Sequence, residues 1–389
     1  MTGGVAFSIY NASSFIQRVI LLLYNYFLMK SIFTLLLVLL LLPAVNYCQQ
    51  LPVATEHHIP ICCHVTEPDN EFSGLAKWKN YVLFIPQHVS DTDVHNIIAI
   101  DTLSIDSVLQ HQSDSVYKYT TVLFDTSLHS IIHAIQKVNG MDKGYGGFEA
   151  AVVVGDTIFF TVETDSLCFV VKGNIKSNKK GLRVVFKTGD TMQLPKPNYR
   201  YDNAGFESLA YLPASKQLVS FYENNNLLNT ATGYMFNTDF SNKQTLYFDS
   251  ALLFRITDIT AVKDSAGNDV LLGTQFFYND FKKDTARKST EFNYYLTGDT
   301  TKTYTSRQLI AAQSQLHGGN LLKDCFSRVI RLQIQGTTVS WKEEKIISYQ
   351  CDNWESITPY KKGVLLMVDG KPPGVTCRLS YFALEQETE

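Results

Sequence analysis

Phe206-Glu207-Ser208-Leu209-Ala210-Tyr211-Leu212, the turn Pro213-Ala214-Ser215, and then Gln217-Leu218-Val219-Ser220-Phe221-Tyr222-Glu223 form the stretch on which the fold turns. An acid beside an aromatic opens a short apolar strand, a tight turn reverses it, and a second apolar strand ends in another acid. Short runs rich in β-branched and aromatic residues, bounded by turn-forming residues, read as a β-hairpin. The pattern occurs four more times. Glu71-Phe72-Ser73-Gly74-Leu75 leads to Gln87, and Phe148-Glu149-Ala150-Ala151-Val152 leads to Glu163. Thr257-Asp258-Ile259-Thr260-Ala261 leads to Gln275, and Trp354-Glu355-Ser356-Ile357 leads to Asp369. In chain order the first acid and last polar residue lie 16, 14, 16, 17 and 14 residues apart, so the copies differ only in loop length. Three copies are also preceded by Asp-Asn: Asp69-Asn70, Asp202-Asn203 and Asp352-Asn353.

Internal repeats of this kind mark stacked or radial architectures. Two further strand candidates follow the hairpins, at residues 168–172 and 182–186 in the second copy and 233–236 and 245–248 in the third. Four strands per repeat is the anatomy of a propeller blade. The expected fold is therefore all-β, a β-propeller of four-stranded blades. Five blades are recognisable, and the long gaps after Glu71 and Asp258 leave room for a sixth, so six is the expected number. Residues 59–65 are expected to add an outer strand to the last blade and close the ring. Residues 281–322 are polar and read as a loop insertion.

Hairpin geometry brings the opening acid and the closing polar group to the same edge of each sheet. Radial repetition then places them on one rim near the central channel. Glu149, Glu207, Asp258 and Glu355 are the candidate metal ligands; Glu163, Glu223 and Asp369, with Arg255 and Arg328, are the candidate substrate-binding groups. A slip of one residue turns a side chain to the other face, so Glu71 and Asp258, whose alignment is loose by one or two positions, are the less secure members. Carboxylates converging on an axis repel one another unless a cation or an arginine neutralises them, or their pKa values rise. Calcium, which takes six to eight oxygen ligands, is the expected cofactor. The alternative is that each acid accepts backbone N–H groups and orders its own turn. The aromatics Phe148, Phe206 and Trp354 are expected to pack between blades.

No catalytic residue can be assigned. The chain carries no Gly-x-Ser-x-Gly elbow, no His-Glu-x-x-His and no phosphate-binding or dinucleotide glycine loop. A second cluster, His57-His58-Ile59-Pro60-Ile61-Cys62-Cys63-His64, has soft ligands, but strand alternation splits them between two faces, and a plain terminal strand is the preferred reading.

The first 48 residues hold no Asp or Glu and only Arg18 and Lys30 as charges. Ile32 to Val45 is an apolar core of signal-peptide length behind Lys30, too short to span a bilayer before Pro43 and Asn46. Residues 1–48 are thus read as an over-long start, with the true start at Met29, plus a signal peptide cleaved near Cys48-Gln49. Acylation of Cys48 is the weaker alternative because Tyr47 is bulky. Residues 49–389 form a single propeller domain in which 32 Lys+Arg face 37 Asp+Glu, a net charge of −5. That balance gives no footprint for nucleic acid or anionic membrane. The expected product is a secreted or periplasmic monomer without a membrane span. Six cysteines remain, and Cys351 with Cys377, flanking one hairpin unit, is the preferred disulfide, with two buried thiols as the alternative.

The motifs at Asn203 to Ala210, at Arg255-Ile256-Thr257-Asp258-Ile259, at Arg328-Val329-Ile330-Arg331-Leu332 and at Asn353 to Asp369 resemble, in order, those of the esterase-like phytase family. The resemblance implies a propeller with an acidic rim that binds calcium and acts on a phosphate or carboxylic ester. This chain departs from the family in placing Ala150, Ser208 and Ser356 where a glycine follows the motif Glu, and Gly370 after Asp369. The competing expectation is a non-catalytic propeller whose rim recognises a carbohydrate, peptide or surface partner.

Overall fold

The computed structural model describes residues 21, 23 and 30, and then 53–66, 71–88, 96–138, 145–164, 167–179, 181–196, 205–223, 232–249, 252, 255–278, 325–348, 352–369 and 377–384. The chain divides into two units, Met1–Gln50 and Leu51–Glu389, and all the described strands belong to the second. The leader expected over residues 1–48 lies, but for three residues, outside the described ones, as does the loop expected at 281–322. Among the described residues no helix is long and apolar enough to cross a membrane.

The propeller unit opens with β1 (Glu56–Ile59). Blade 1 holds β2 (Phe72–Trp78), β3 (Tyr81–Pro86), β4 (Ile97–Asp101) and β5 (Thr120–Phe124). Blade 2 holds β6 (Tyr145–Val154), β7 (Thr157–Thr164), β8 (Cys168–Asn178) and β9 (Gly181–Leu194). In blade 3 the strands are β10 (Ala210–Leu212), β11 (Gln217–Phe221), β12 (Thr232–Asn237) and β13 (Gln244–Phe248). Blade 4 has β14 (Arg255–Lys263), β15 (Asp269–Tyr278), β16 (Cys325–Gln335) and β17 (Thr338–Ser348). Blade 5 has β18 (Trp354–Tyr360), β19 (Gly363–Val368) and β20 (Arg378–Ala383), and β1 pairs antiparallel with β20 as its fourth strand. The ring is thus fastened by joining its two chain ends in one sheet. The fastening strand lies a few residues before the 59–65 stretch expected for it, and Cys63–Thr66 is a 3-10 turn.

The innermost strands pack in a cycle, β2 on β6, β6 on β10, β10 on β14, β14 on β18, and β18 back on β2. Five blades close the circle, and the sixth allowed by the sequence is not formed among the described residues. The gap after Glu71 is taken up by β4, β5 and two helices, α1 (Thr102–Leu109) and α2 (Ser127–Val138); that after Asp258 leads to the outer pair of the same blade, β16 and β17. Neither helix belongs to the repeated hairpin pattern on which the all-β expectation rests. Asp101 caps α1 by accepting the Leu103 N–H at 2.9 Å, and α2 buries Leu128, Ile131 and Ile135, one helical stripe. The outermost strands of blades 1 and 2, β5 and β9, pair in parallel, as do β13 and β17 of blades 3 and 4. This covers two pairs of sheet edges that would otherwise invite association.

Between blades the core is aromatic. Phe148 packs tilted against Phe160 at 4.5 Å and stacks on Phe124 at 5.4 Å, Phe206 lies against Tyr222 and Tyr234, and Trp354 meets Phe382 edge-on at 5.3 Å. Phe148, Phe206 and Trp354 are fully buried, so the aromatic that opens a repeat is a wedge between blades. Cys377 is a buried free thiol, so the expected bridge to Cys351 is not made.

Candidate functional site

The register of the inner hairpins explains which residues face the axis. In β2–β3 the pairing jumps from Phe72 to Gly74, in β6–β7 from Phe148 to Ala150, in β14–β15 from Ile256 to Asp258, and in β18–β19 from Trp354 to Ser356. Each jump is a β-bulge, and the residue left out of the ladder is Ser73, Glu149, Thr257 or Glu355 in turn. Blade 3 reaches the same arrangement without a regular strand. Ser208 Oγ donates to the Phe221 carbonyl at 3.2 Å and accepts the Phe221 N–H at 2.9 Å, which leaves Glu207 as the corresponding residue. The ring therefore reads Ser73, Glu149, Glu207, Thr257, Glu355, one residue per blade.

Cross-channel electrostatics show that the acids of this ring share a space. Glu149 of blade 2 is pushed well above the usual carboxylate range, by burial first and then by the charges of Glu163, Glu207 and Glu355. Glu355 of blade 5 is raised by burial, by Asp369 and by Glu207. Blades 2 and 5 are not neighbours in the ring, so these fields cross the channel. The two hydroxyls are oriented alike. Ser73 Oγ donates to the carbonyl of Phe148, which precedes Glu149, and Thr257 Oγ1 donates at 2.7 Å to that of Trp354, which precedes Glu355. In both cases the hydroxyl reaches the next blade's bulge, and Thr257 Oγ1 also lies 2.9 Å from the Thr274 hydroxyl within its own blade.

A second tier is formed by the residues that end the inner hairpins. Glu223 is fully buried, accepts the Gly205 N–H at 2.9 Å and pairs with Arg255 Nε; burial raises its pKa well above the ordinary value although Arg255 opposes this. Arg255 also reaches Glu207, with Nη2 2.6 Å from Oε1. Glu163 pairs with Lys196 at 3.1 Å, and burial still raises its pKa against that partner. Gln87 lies 3.5 Å from Glu149, and the Asn353 amide donates to Glu355. The Asn353 side-chain oxygen Oδ1 is buried without a hydrogen-bond partner, while its backbone carbonyl accepts the Asp369 N–H at 3.0 Å. Among the described residues the tiers hold six carboxyl groups, Glu149, Glu163, Glu207, Glu223, Glu355 and Asp369, against the cations Arg255 and Lys196.

Three residues expected at the rim lie elsewhere. Asp258, one position past the bulge, points into the sheet, where it accepts the N–H groups of Ile259 at 2.8 Å and Ile357 at 3.0 Å. It joins blades 4 and 5, and Thr257 takes the ring position. Glu71 lies two positions before the bulge and pairs with His88 at 3.1 Å. Arg328 is buried, donates to Gln275 at 2.8 Å and pairs with Glu343, so it is not presented to a ligand; burial pulls its pKa down to about 9. Ser73, Thr257, Lys196 and Asn353 were not picked out. Aligning the repeats on the buried Phe72, Phe148, Phe206, Ile256 and Trp354, instead of on the acids, finds the first two.

His57 and His58 lie on β1 and take part in its pairing with β20. Among the described residues no three His, Cys, Asp or Glu side chains are drawn together as a metal-binding group; the ring acids are turned toward Arg255, Gln87 and Asn353.

No protein-family model matches the chain, and no curated protein matches it. Among solved structures, the PQQ-bound aldose sugar dehydrogenase of Streptomyces coelicolor is similar with a TM-score of 0.40 and 10% identity over 85% of this chain and 99% of that one. The K499G NanB sialidase of Streptococcus pneumoniae follows with 0.34 and 9% over 77% and 35%. A nidogen/laminin complex gives 0.32 and 13% over 77% and 73%. Scores this low carry no functional argument, and the class rests on strand order. Fold and rim define an all-β propeller with buried carboxyl groups clustered on its axis. Within that class this chain is a five-bladed ring with a Ser-Glu-Glu-Thr-Glu circle of bulge residues.

Proposed function

We propose that the chain is a calcium-dependent phosphoesterase whose ion is held by Ser73, Glu149, Glu207, Thr257 and Glu355. The observation that carries the reading is the circle itself: one oxygen-bearing side chain from each of five blades, four of them at a register bulge and Glu207 at the matching place in blade 3. The donor set fits the ion. All five donors are hard oxygens, calcium takes six to eight of them, and its common pentagonal-bipyramidal shell has five equatorial places. Glu149 and Glu355, whose pKa values burial raises, also need a compensating charge to remain ionised. The Asn353 side-chain oxygen Oδ1, buried and unpartnered, is one more oxygen beside the circle.

When bound, the ion supplies Lewis acidity to a phosphate oxygen and acidifies a water. The chain's own residues do the rest. The hydroxyls, held by the Phe148 and Trp354 carbonyls, would offer oxygen to the ion, and Arg255 ties the ring acid Glu207 to the anchored Glu223. An acidic rim repels an anionic ester, so capture of such a substrate depends on the ion. The second reading is a non-catalytic propeller that uses the ion to bind a hydroxyl-rich or peptide ligand. It is favoured by the engagement of Arg255 and Lys196 with carboxylates.

Melting temperature in excess calcium and in chelator tests the ion, and turnover of p-nitrophenyl phosphate under both conditions tests the reaction. Calcium is expected to raise the melting temperature, by about 2.7 kcal/mol of stabilisation at a hundred times the dissociation constant. Glu207→Gln and Glu355→Gln are expected to abolish that shift. A shift without turnover selects the binding propeller, and no shift removes the ion from the account.

A further inference from the structure

We propose that a cavity between blades 3 and 4, on the face opposite the ring, binds a small planar aromatic molecule of the indole class that donates its ring N–H to Asp269. The cavity measures about 380 Å³ and is walled by Leu212, Gln217, Met235, Asp269, Leu271 and Ile334. That volume lies in the range of small-molecule pockets, about 300–1,000 Å³. Leu212 closes β10 whereas Glu207 precedes it, so cavity and ring lie at opposite ends of the blade. The site stands apart from any ion on the axis.

The other pair of joined blades shows what such a space accepts. Blades 1 and 2 are coupled through parallel outer strands as blades 3 and 4 are, so their positions correspond. Trp78 stands five residues after the ring residue Ser73 and pairs with Tyr81; Leu212 stands five after Glu207 and pairs with Gln217. Asp156 directly precedes Thr157, the partner of Val154, and Asp269 directly precedes Val270, the partner of Val262. In blades 1 and 2 the Trp78 indole is buried, stacks on Tyr81 with centroids 6.0 Å apart, and donates Nε1–H to Asp156 Oδ1 at 3.0 Å. In blades 3 and 4 the acid is kept, but Leu212 and Gln217 stand in place of the two rings. Met235 takes the position of Ala99 and returns some volume, and its unbranched thioether is an adaptable wall for an aromatic face.

Asp269 offers the acceptor that an indole uses. Its side chain is 9% exposed; Oδ2 accepts the Ala214 N–H at 2.7 Å, and Oδ1 is ion-paired with Lys263 at 2.5 Å. Beyond that ion pair, Oδ1 is buried with no hydrogen-bond partner among the described residues. Asp156 Oδ1 takes the Trp78 indole and the Lys79 ammonium together, at 3.0 and 2.9 Å, so a lysine on the same oxygen leaves place for a ring N–H. The exposed residues at the mouth, Ala214, Ser215, Gln244 and Gly336, are small or polar. A free small molecule suits that mouth better than a protein partner, whose contact would centre on an apolar patch.

The test is calorimetric titration of the full chain with indole and with 1-methylindole, which keeps the ring and replaces the N–H by a methyl. Indole is expected to bind, and 1-methylindole about ten-fold more weakly, since it leaves the buried acceptor without a donor. Leu212→Trp returns to the cavity the side chain that blade 1 uses. It is expected to abolish indole binding and to raise the melting temperature, as cavity filling does. Asp269→Ala is expected to bind the two ligands alike. Equal affinities in the wild type overturn the Asp269 contact, and undiminished indole binding in a folded Leu212→Trp protein overturns the cavity as the site. If neither variant folds, the wild-type comparison decides, and no binding of indole there removes the proposal. Tighter binding of acetyl-Ala-Trp-Ala-amide than of indole overturns the small molecule in favour of a partner's tryptophan.

Discussion

At the scale of single residues the bulge decides chemistry. Thr257 and Asp258 are adjacent, yet one bonds the Trp354 carbonyl at the ring and the other accepts backbone N–H groups inside the sheet. Thr257→Val is therefore expected to weaken calcium binding about ten-fold, as the loss of one neutral oxygen ligand. Asp258→Asn is expected to leave that affinity within about two-fold while lowering stability by about 2 kcal/mol, since an amide replaces one of two acceptor oxygens in a buried network. Titration calorimetry and urea unfolding on the two variants separate the roles. The opposite result, with Asp258 governing the ion, would restore the register in which the acid opens the strand.

At the scale of elements, the fastening strand β1 carries more than its length suggests. Its four residues pair with β20 in register from Glu56 opposite Phe382 to Ile59 opposite Leu379, and Ile59 is buried against the core beneath blades 1 and 5. Ser380 Oγ donates to Glu56 at 2.7 Å, and Arg378 is ion-paired with Glu56 at 3.0 Å and hydrogen-bonded to Asp352 at 2.7 Å. The closure is thereby tied to the segment that opens β18 and carries Glu355. Ile59→Ala is expected to cost about 2–4 kcal/mol, the usual penalty for a buried isoleucine truncated in a packed site. Because β18 packs on β2 only while the ring is closed, the same variant is expected to weaken calcium binding as well. Unfolding midpoints and the calcium-induced melting shift measured on one sample check both parts.

Across the whole molecule the buried acids link stability, protons and the ion. Glu149, Glu163, Glu223, Glu355 and Asp258 all have pKa values raised above those of free carboxyl groups, with burial the first cause in each. A group raised on folding binds more protons in the native than in the unfolded state, so its contribution to stability falls as pH rises from the ordinary carboxylate range through the raised pKa. In chelator the melting temperature is therefore expected to fall between pH 5 and pH 7. Calcium, which holds the ring acids ionised, is expected to flatten or reverse that slope, and its binding is expected to release protons. Thermal melts across pH, with and without the ion, and calorimetry in buffers of different ionisation enthalpy check these expectations. A slope unaltered by calcium would detach the ion from the ring acids.

Much of this was legible in the residues. Alternation and turn chemistry are local, so the hairpins at Phe148 and Phe206 were readable from the pattern, and with them the blade, the rim and the company of Glu149, Glu207 and Glu355. Hairpin geometry also placed Glu163, Glu223 and Asp369 on the same edge. What required tertiary structure depended on register and on closure. A bulge inserts one residue without altering composition, so nothing in Ile256-Thr257-Asp258 announces that the hydroxyl and not the acid reaches the ring. Blade number follows from how many inner strands complete a circle of packed neighbours, a property of the assembled ring that no single repeat carries. The burial of Arg328 and the accessibility of Arg255 follow from the sheets that cover one and leave the other at the rim, and two arginines at strand positions look alike until those sheets are in place.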